Sequence, residues 1–171
     1  MQADETSDEA DGFREEARLT PLDPDQIKVL RIRFGATALA VLTPIALLDL
    51  APLRETAVPF GLAPGIIAAF ALVAVAILPG RRYRAWGYRE GGDEILIRSG
   101  LLKRVKTVVP FGRVQHIDIA QGPVQRRYGL ATLILHTAGT RGAAVPLPGL
   151  ALAEAERMRD AIRAQIRQDL L

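Results

Sequence analysis

Residues 56–80 read TAVPFGLAPGIIAAFALVAVAILPG and contain no charged side chain. About 20 apolar residues in a helix span the roughly 30 Å hydrocarbon core of a bilayer, and this stretch has 25. Pro59 and Pro64 fall in its early turns, where a proline disturbs a helix least. The stretch therefore predicts a membrane-spanning helix over about residues 57–79.

A second apolar stretch, residues 34–48, precedes the first and is 15 residues long. It reaches spanning length if Asp49 lies at one interface and Arg33 extends its charge to the headgroups at the other. Pro44 within it is expected to kink the helix. We predict a two-helix transmembrane hairpin over residues 23–80, with the first span at about residues 32–52. The alternative is one spanning helix preceded by a buried or re-entrant segment.

Basic residues flank the two predicted spans on one side. Those before the first and after the second span are Lys28, Arg31, Arg33, Arg81, Arg82 and Arg84, whereas the connection carries only Arg54. The positive-inside rule then places both termini in the cytoplasm. A signal peptide would begin with basic residues, but residues 1–17 hold seven acidic residues and one arginine. The prediction is therefore a protein that crosses the membrane more than once, with its N- and C-termini in the cytoplasm.

Residues 1–22 form an acidic tail with few apolar side chains, a composition typical of disorder. The first helix is expected to begin near Pro24. Asp23 suits its N-cap, and Gln26 falls three residues later, as in a capping box.

Residues 81–171 have the size of one compact domain and carry 16 basic and 8 acidic residues. Short segments alternate apolar and polar residues, as in 94–98, 104–109, 116–119 and 132–136, which is the period of strands with one buried face. From about Leu150 the apolar period becomes helical, and one stripe carries Ala151, Ala155, Met158, Ile162 and Ile166. Strands followed by one amphipathic helix predict an α+β cytoplasmic domain.

Three segments of this domain resemble a known family. They read RSGLL at 98–102, VVPFGRVQ at 108–115 and QGPVQRRYGLAT at 121–132. The chain, over roughly residues 24–167, closely resembles bacterial pleckstrin-homology membrane proteins of the YdbS-like (bPH2) kind. The resemblance implies a PH-like antiparallel barrel or sandwich of about seven strands with a C-terminal amphipathic helix. It also implies that the membrane crossed is the bacterial inner (cytoplasmic) membrane. The biochemical role of such proteins is largely unassigned, so the resemblance speaks to fold more than to function.

Eukaryotic lipid-binding members of the fold hold headgroup phosphates with basic residues on the first two strands. Here the first hairpin connection, residues 89–94, carries three acidic residues and one arginine. Negative charge there repels phosphate, so we do not expect specific inositol-phosphate recognition.

The next hairpin is the better candidate surface for a lipid or a partner. Arg98, Lys103, Arg104 and Lys106 flank an apolar tip at Leu101 and Leu102. If the tip projects, it can dock on a bilayer or on a protein. The favoured alternative is that both leucines fold back over the open end of the barrel.

Arg126 and Arg127 lie between strand patterns, in a segment that suits a short helix. Paired arginines can bind carboxylates or phosphates bidentately. Ion pairing with Asp118 or Glu90 is the simpler interpretation.

Catalytic and cofactor signals are weak, and we predict no enzyme, no cofactor and no metal site. The chain has no cysteine and no phosphate-binding glycine loop. His116 and His136 lie on different strands that can meet across a sheet, and Asp118 shares the face of His116, so the three offer metal-ligating side chains. Histidines on strands are nevertheless more often surface or structural residues. Aromatic residues are 5% of the chain, too few for a nucleic-acid stacking platform.

Two functions stay open from the sequence. The favoured one is a membrane-anchored module for protein interaction or assembly, with a second membrane protein of the same kind or with its own copies, because strand edges accept peptides and small residues in the second span permit close helix packing. The alternative is a module that binds or senses anionic lipid, since basic residues near a membrane are attracted to that surface.

Overall fold

The computed structural model describes residues 19–49, 61–138 and 144–168. These residues form two units. One unit, Pro24–Tyr83, holds two long helices. The other combines residues 19–23 with residues 84–168 and holds the strands and the shorter helices.

Helix α1 runs Gln26–Asp49 and helix α2 runs Leu62–Arg84. Both are long and apolar enough to cross a membrane, and only 6% of the most apolar window of each is buried. Leu48 and Phe70 are among the large apolar side chains exposed along them. Exposed apolar surface of this extent is unfavourable in water and suits contact with lipid. Arg54 of the predicted connection and Pro59 at the start of the second predicted span lie outside the described residues.

Polar groups within the helical unit find partners in the unit itself. The hydroxyls of Thr37 and Thr43 each donate to the carbonyl oxygen four residues earlier, at 2.9 and 2.8 Å. The Asp49 carboxylate accepts a hydrogen bond from the Gly61 amide at 2.7 Å, immediately before α2. Bonds made inside the unit leave fewer polar groups for lipid to accommodate, as an apolar surrounding requires.

The second unit contains two three-stranded antiparallel sheets. The first, in spatial order, is β1 (Gly87–Glu90), β2 (Glu94–Ser99) and β3 (Val105–Pro110). The second is β4 (Val114–Ala120), β5 (Leu130–Thr137) and β6 (Ala144–Ala151). One turn of 3₁₀ helix, Phe111–Arg113, connects the sheets, and helix α3, Pro123–Arg127, connects β4 to β5. Helix α4, Leu152–Gln168, follows β6.

The predicted α+β plan of strands closed by one helix is confirmed. The described residues hold six strands in two sheets, so the expected seven is one too many, and they do not show a closed barrel. Beside β1 the sheet gains only an isolated bridge, from Thr20 to Tyr88. A single bridged residue extends the sheet without forming a strand.

The chain just before α1 belongs to the globular unit. Thr20 and Tyr88 exchange backbone hydrogen bonds of 2.7 and 3.0 Å, and the Asp23 amide donates to the Gly149 carbonyl of β6 at 2.9 Å. Leu22 between them is buried. Disorder was expected up to residue 22, but residues 19–22 are described as part of this unit. A buried leucine and paired backbone groups give this short segment a stable position.

Leu133 and Leu135 of β5 are buried and alternate with less buried residues, so one face of this strand lies in the core. In β2, Ile95, Leu96 and Ile97 are all buried, so the alternation predicted over 94–98 is not seen there. Helix α4 contacts β4, β5, β6 and the 3₁₀ turn. Its buried residues, Ala155, Met158 and Ile162, form the predicted apolar stripe. Ala151, placed on the same stripe from the sequence, instead ends β6.

An ion-pair network ties α4 to the end of β1. The Arg157 guanidinium lies 2.7 Å from a Glu90 carboxylate oxygen, and it contacts both carboxylate oxygens of Glu154 at 2.8 and 2.9 Å. These hydrogen bonds lower the pKa of Glu154 and raise that of Arg157. The pKa of Tyr88 is raised chiefly by burial and secondly by the negative charge of Glu154.

The lowered pKa of Glu154 makes the network sensitive to acid. A depressed carboxyl pKa stabilises the folded state above the unfolded pKa, and this contribution is lost as the pH falls through the folded value. The ordinary value is 4.5, so we expect the loss below about pH 4.5. Thermal unfolding of Glu154→Gln should show a loss of about 0.5–1 kcal/mol at pH 7 and a weaker dependence on pH below 4.5. Glu156→Gln, an exposed carboxylate on the same helix, serves as the control. Equal pH profiles for wild type and Glu154→Gln would contradict this assignment.

Candidate functional site

The hairpin of β2 and β3 carries the basic residues singled out from the sequence. Its register pairs Arg98 with Lys106 and Ser99 with Val105, which leaves residues 100–104 as a five-residue loop. We call this loop, with Arg98 and Lys106 on the strands beside it, the basic hairpin tip.

Gly100 shapes the loop. Its φ of +105° lies in the left-handed region that side chains disfavour. A Cβ atom added there would overlap the carbonyl oxygen of Lys103. The backbone turns back on itself at Gly100, and the following residues project beyond the sheet.

Leu102 is 100% exposed and Leu101 is 38% exposed. The favoured interpretation, in which both leucines fold back over the core, is therefore wrong. The tight turn at Gly100 directs them away from the sheet instead. Lys103, Arg104 and Lys106 are also exposed, so the structure presents an apolar tip within a basic surround.

The basic hairpin tip lies at the end of the sheet where the chain arrives from α2. Helix α2 ends at Arg84, β1 begins three residues later at Gly87, and Gly87 pairs with Arg98. The Arg98 guanidinium donates to the Arg84 carbonyl oxygen at 3.5 Å. The loop that follows Arg98 is thus close, along the sheet, to the last residue of an apolar helix.

Strand β3 adds exposed apolar surface next to the tip. It is the outer strand of its sheet among the described residues, and Val105 and Val108 are 41% and 47% exposed. The alternation over residues 104–109 predicts Val105 on the buried face of the strand, but its side chain is exposed. Val108, an apolar residue on the predicted polar face, was the sign in the sequence that this strand departs from the pattern.

Arg126 and Arg127 are exposed on helix α3, between strands of the second sheet. The chain therefore places them on a different element from the basic hairpin tip. Their predicted pairing with Asp118 or Glu90 is wrong. His136 contacts the Asp118 carboxylate at 3.0 Å, and Arg157 contacts the Glu90 carboxylate at 2.7 Å.

The three metal-ligating side chains noted in the sequence come together on the second sheet. His116 and His136 are directly opposite each other in the β4–β5 register, and their rings stack with centroids 3.9 Å apart and planes 14° from parallel. An Asp118 carboxylate oxygen lies 3.0 Å from His136 Nε2 and 3.8 Å from His116 Nε2. The sequence placed His116 and Asp118 on one face, but only the register shows that His136 faces them.

The sequence pattern of the family described as "Bacterial PH domain" matches residues 29–166. The chain belongs to this family. It is 33% identical over 148 residues to the UPF0699 transmembrane protein YdbS of Bacillus subtilis (strain 168), covering 82% of this chain and 88% of YdbS. It is also 34% identical over 104 residues to the UPF0699 transmembrane protein YdbT of the same organism, covering 58% of this chain and 20% of YdbT. No solved structure matches the chain.

The family assignment confirms the resemblance noted from residues 98–132, and it agrees with the two sheets and the C-terminal helix. The relative YdbS is named a transmembrane protein, which agrees with the two apolar helices of this chain. This bacterial PH domain protein thus combines apolar helices with a PH-like unit.

The shape of the basic hairpin tip depends on Gly100. We expect Gly100→Ala to lower the free energy of unfolding by about 1–3 kcal/mol, because it forces a side chain into the left-handed region and against the Lys103 carbonyl. Gly92→Ala is the matched control, since a Cβ atom there meets nothing within 4 Å. Thermal unfolding of the full-length protein in detergent measures both, and equal stability of the two variants would contradict the role of Gly100.

Proposed function

We propose that this protein is a non-catalytic, membrane-anchored PH-like module whose basic hairpin tip docks on anionic lipid at the cytoplasmic face of a bacterial inner membrane. One observation carries the proposal: a fully exposed leucine, Leu102, projects among basic residues at the end of the sheet where the chain arrives from α2.

The chemistry of the tip matches a bilayer surface. Transferring one leucine side chain from water into an apolar medium is worth about 1.5–3 kcal/mol. Each basic residue near an anionic surface adds about 1 kcal/mol. Lys103, Arg104 and Lys106 stand beside Leu102, so apolar insertion and charge attraction act at one place.

Anchoring reduces the affinity that the tip needs. Two spanning helices would hold the tip near the lipid at all times, and tethering of this kind acts through a high effective concentration. A contact too weak to hold a free domain on a membrane therefore suffices to set the position of an anchored one.

The side of the membrane follows from the charges around the helices. Lys28, Arg31 and Arg33 lie in or near the first turns of α1, and Arg81, Arg82 and Arg84 lie in the last turn of α2. The positive-inside rule supports a multi-pass protein with both termini in the cytoplasm. The PH-like unit would then face the anionic leaflet of the inner membrane.

The described residues support a role without catalysis. Ser99 is the only serine after residue 7. It ends β2, where it pairs with Val105 of β3. A hydroxyl nucleophile needs a base within hydrogen-bond reach, and this serine lies on a different sheet from His116 and His136.

A second candidate function is protein interaction or assembly through the β3 edge. The outer strand of a sheet presents unpaired backbone groups that accept an added strand. On β3 the exposed Val105 and Val108 would supply apolar contacts for such a partner, which is another membrane protein of the same kind or a second copy of this chain.

Lipid docking can be measured with a fluorophore attached to the tip. The chain has no cysteine, so Leu102→Cys carries a single environment-sensitive fluorophore. In nanodiscs containing phosphatidylglycerol we expect the label to shift to the blue and to be quenched by spin-labelled lipid. Both signals should fall in phosphatidylcholine nanodiscs, in high salt, and with Lys103→Glu, because screening and charge reversal weaken the attraction.

Gly92→Cys provides the control label for this experiment. It lies in the turn at the other end of β2, roughly 20 Å from the tip at strand spacing, and should stay unquenched. Equal quenching at both positions, or none at Leu102→Cys, would overturn lipid docking. Labelling of Gly92→Cys, which stays in water when the tip is docked, by an impermeant maleimide in inverted vesicles but not in spheroplasts checks the cytoplasmic placement.

The β3-edge function has its own measurement. If a protein partner adds to β3, it should co-purify in fixed stoichiometry from native membranes in mild detergent. Val108→Lys should remove it, because a charge replaces the apolar contact, and Val108→Thr should retain it as a β-branched control. A partner that binds Val108→Lys as well as wild type would rule out this edge.

A further inference from the structure

A β-bulge sets the face on which His116 lies. The register of β4 against β5 shifts between Val114 and His116, which identifies Gln115 as the extra residue. Val114 and Ile117 are therefore both buried although they are three residues apart. His116 is turned to the outer face of the sheet, opposite His136.

Three donor side chains meet on this outer face. One ligand atom from each of His116, Asp118 and His136 lies within 4.8 Å of the other two. Residues directly opposite on antiparallel strands have Cβ atoms about 5 Å apart, so the backbone holds both imidazoles close together without help from the stack. Asp118, two residues after His116, shares their face because side chains alternate along a strand.

We propose that His116, Asp118 and His136 form a binding site for a divalent transition-metal ion, with Zn²⁺ as the ion that fits best. Two imidazole nitrogens and one carboxylate oxygen are a donor set that zinc accepts, whereas Mg²⁺ and Ca²⁺ prefer oxygen ligands throughout. The site uses none of the residues of the basic hairpin tip and does not depend on lipid docking.

The donors need a small rearrangement to hold the ion. Ligand atoms about 2.0–2.1 Å from a tetrahedral zinc lie roughly 3.3 Å from one another. The ligand atoms of His116, Asp118 and His136 lie up to 4.8 Å from one another, so they must move closer. Nearly parallel rings direct their nitrogen lone pairs side by side, so the rings must tilt for both to reach one ion. His116 and Asp118 are exposed and have room to turn about their side-chain bonds.

Three protein ligands leave one tetrahedral position open. His116 and Asp118 are exposed, so a water molecule can reach the fourth position. The bound ion would also clamp β4 to β5 through side chains, in addition to their backbone ladder.

The composition of the chain makes the test specific. His116 and His136 are the only two histidines, and there is no cysteine. The experiment uses the full-length protein with a streptavidin-binding tag in place of polyhistidine, in detergent without chelators. Titration with ZnCl₂ against a fluorescent chelator should show one equivalent bound per chain. Titration with Co²⁺ should give the visible absorption of a tetrahedral site.

His116→Ala and His136→Ala should each weaken Zn²⁺ binding by more than about tenfold, since loss of groups that merely support ligands already costs 10–100-fold. Asp118→Asn should weaken it as well. Glu156→Gln, which removes an exposed carboxylate of α4 outside the site, is the matched control and should bind as wild type does. The double variant His116→Ala/His136→Ala retains the acidic tail and so measures adventitious binding by carboxylates.

Equal Zn²⁺ affinity in wild type and the double variant would overturn the site, and so would binding of less than one equivalent at micromolar Zn²⁺. Unfolding midpoints without metal should be alike for wild type and the single variants, because the mutated side chains lie on the outer face. If a variant is less stable, binding is compared at a temperature where both are folded.

Discussion

Burial of one face of each sheet is the interaction on which the globular unit depends. Ile95, Ile97, Leu133 and Leu135 are almost completely buried, and α4 covers the second sheet with its apolar stripe. Strand geometry sends alternate side chains to opposite faces. Along β5 the residues next to the buried leucines therefore face the outer side, His136 among them, whereas in β2 Leu96 is buried as well as its neighbours Ile95 and Ile97.

The order of the elements along the chain determines where the basic hairpin tip lies on the first sheet. Arg84 ends α2 and Gly87 opens β1, so the first sheet begins three residues after an apolar helix ends. An antiparallel partner must return to the same end, and this brings Arg98 and the loop after it back toward Arg84. A short connection and one hairpin are thus enough to bring an apolar tip and its basic surround to one end of the sheet.

The segment before α1 gives the unit a second tie. Thr20 pairs with Tyr88 in the first sheet, and the Asp23 amide bonds to Gly149 in the second. Both the chain that enters α1 and the chain that leaves α2 are therefore held in the PH-like unit. Composition suggested disorder because acidic residues dominate the tail, but pairing by a few residues at its end depends on a sheet edge that only the folded chain provides.

Much of this architecture was predictable because it follows from local pattern. The uncharged run at 56–80 indicates a helix that lipid can surround, and period-two alternation at 94–98 and 132–136 indicates strands with one buried face. The residues at 98–132 carried the family resemblance that the comparisons confirm. The outward projection of Leu102 was not predictable, because the turn at Gly100 decides whether the loop folds over the core or leaves it.

The two apolar helices, the α+β order and the basic composition of residues 98–106 were predictable, because each depends on neighbours along the chain. Which distant residues meet depends instead on the folded chain. A β-bulge at Gln115 sets the register that brings His116 and Asp118 against His136. The approach of α4 to β1 places Arg157, and not Arg126 or Arg127, in contact with the Glu90 carboxylate. Register and packing are properties of the whole fold, since they minimise the exposed apolar surface of all elements together.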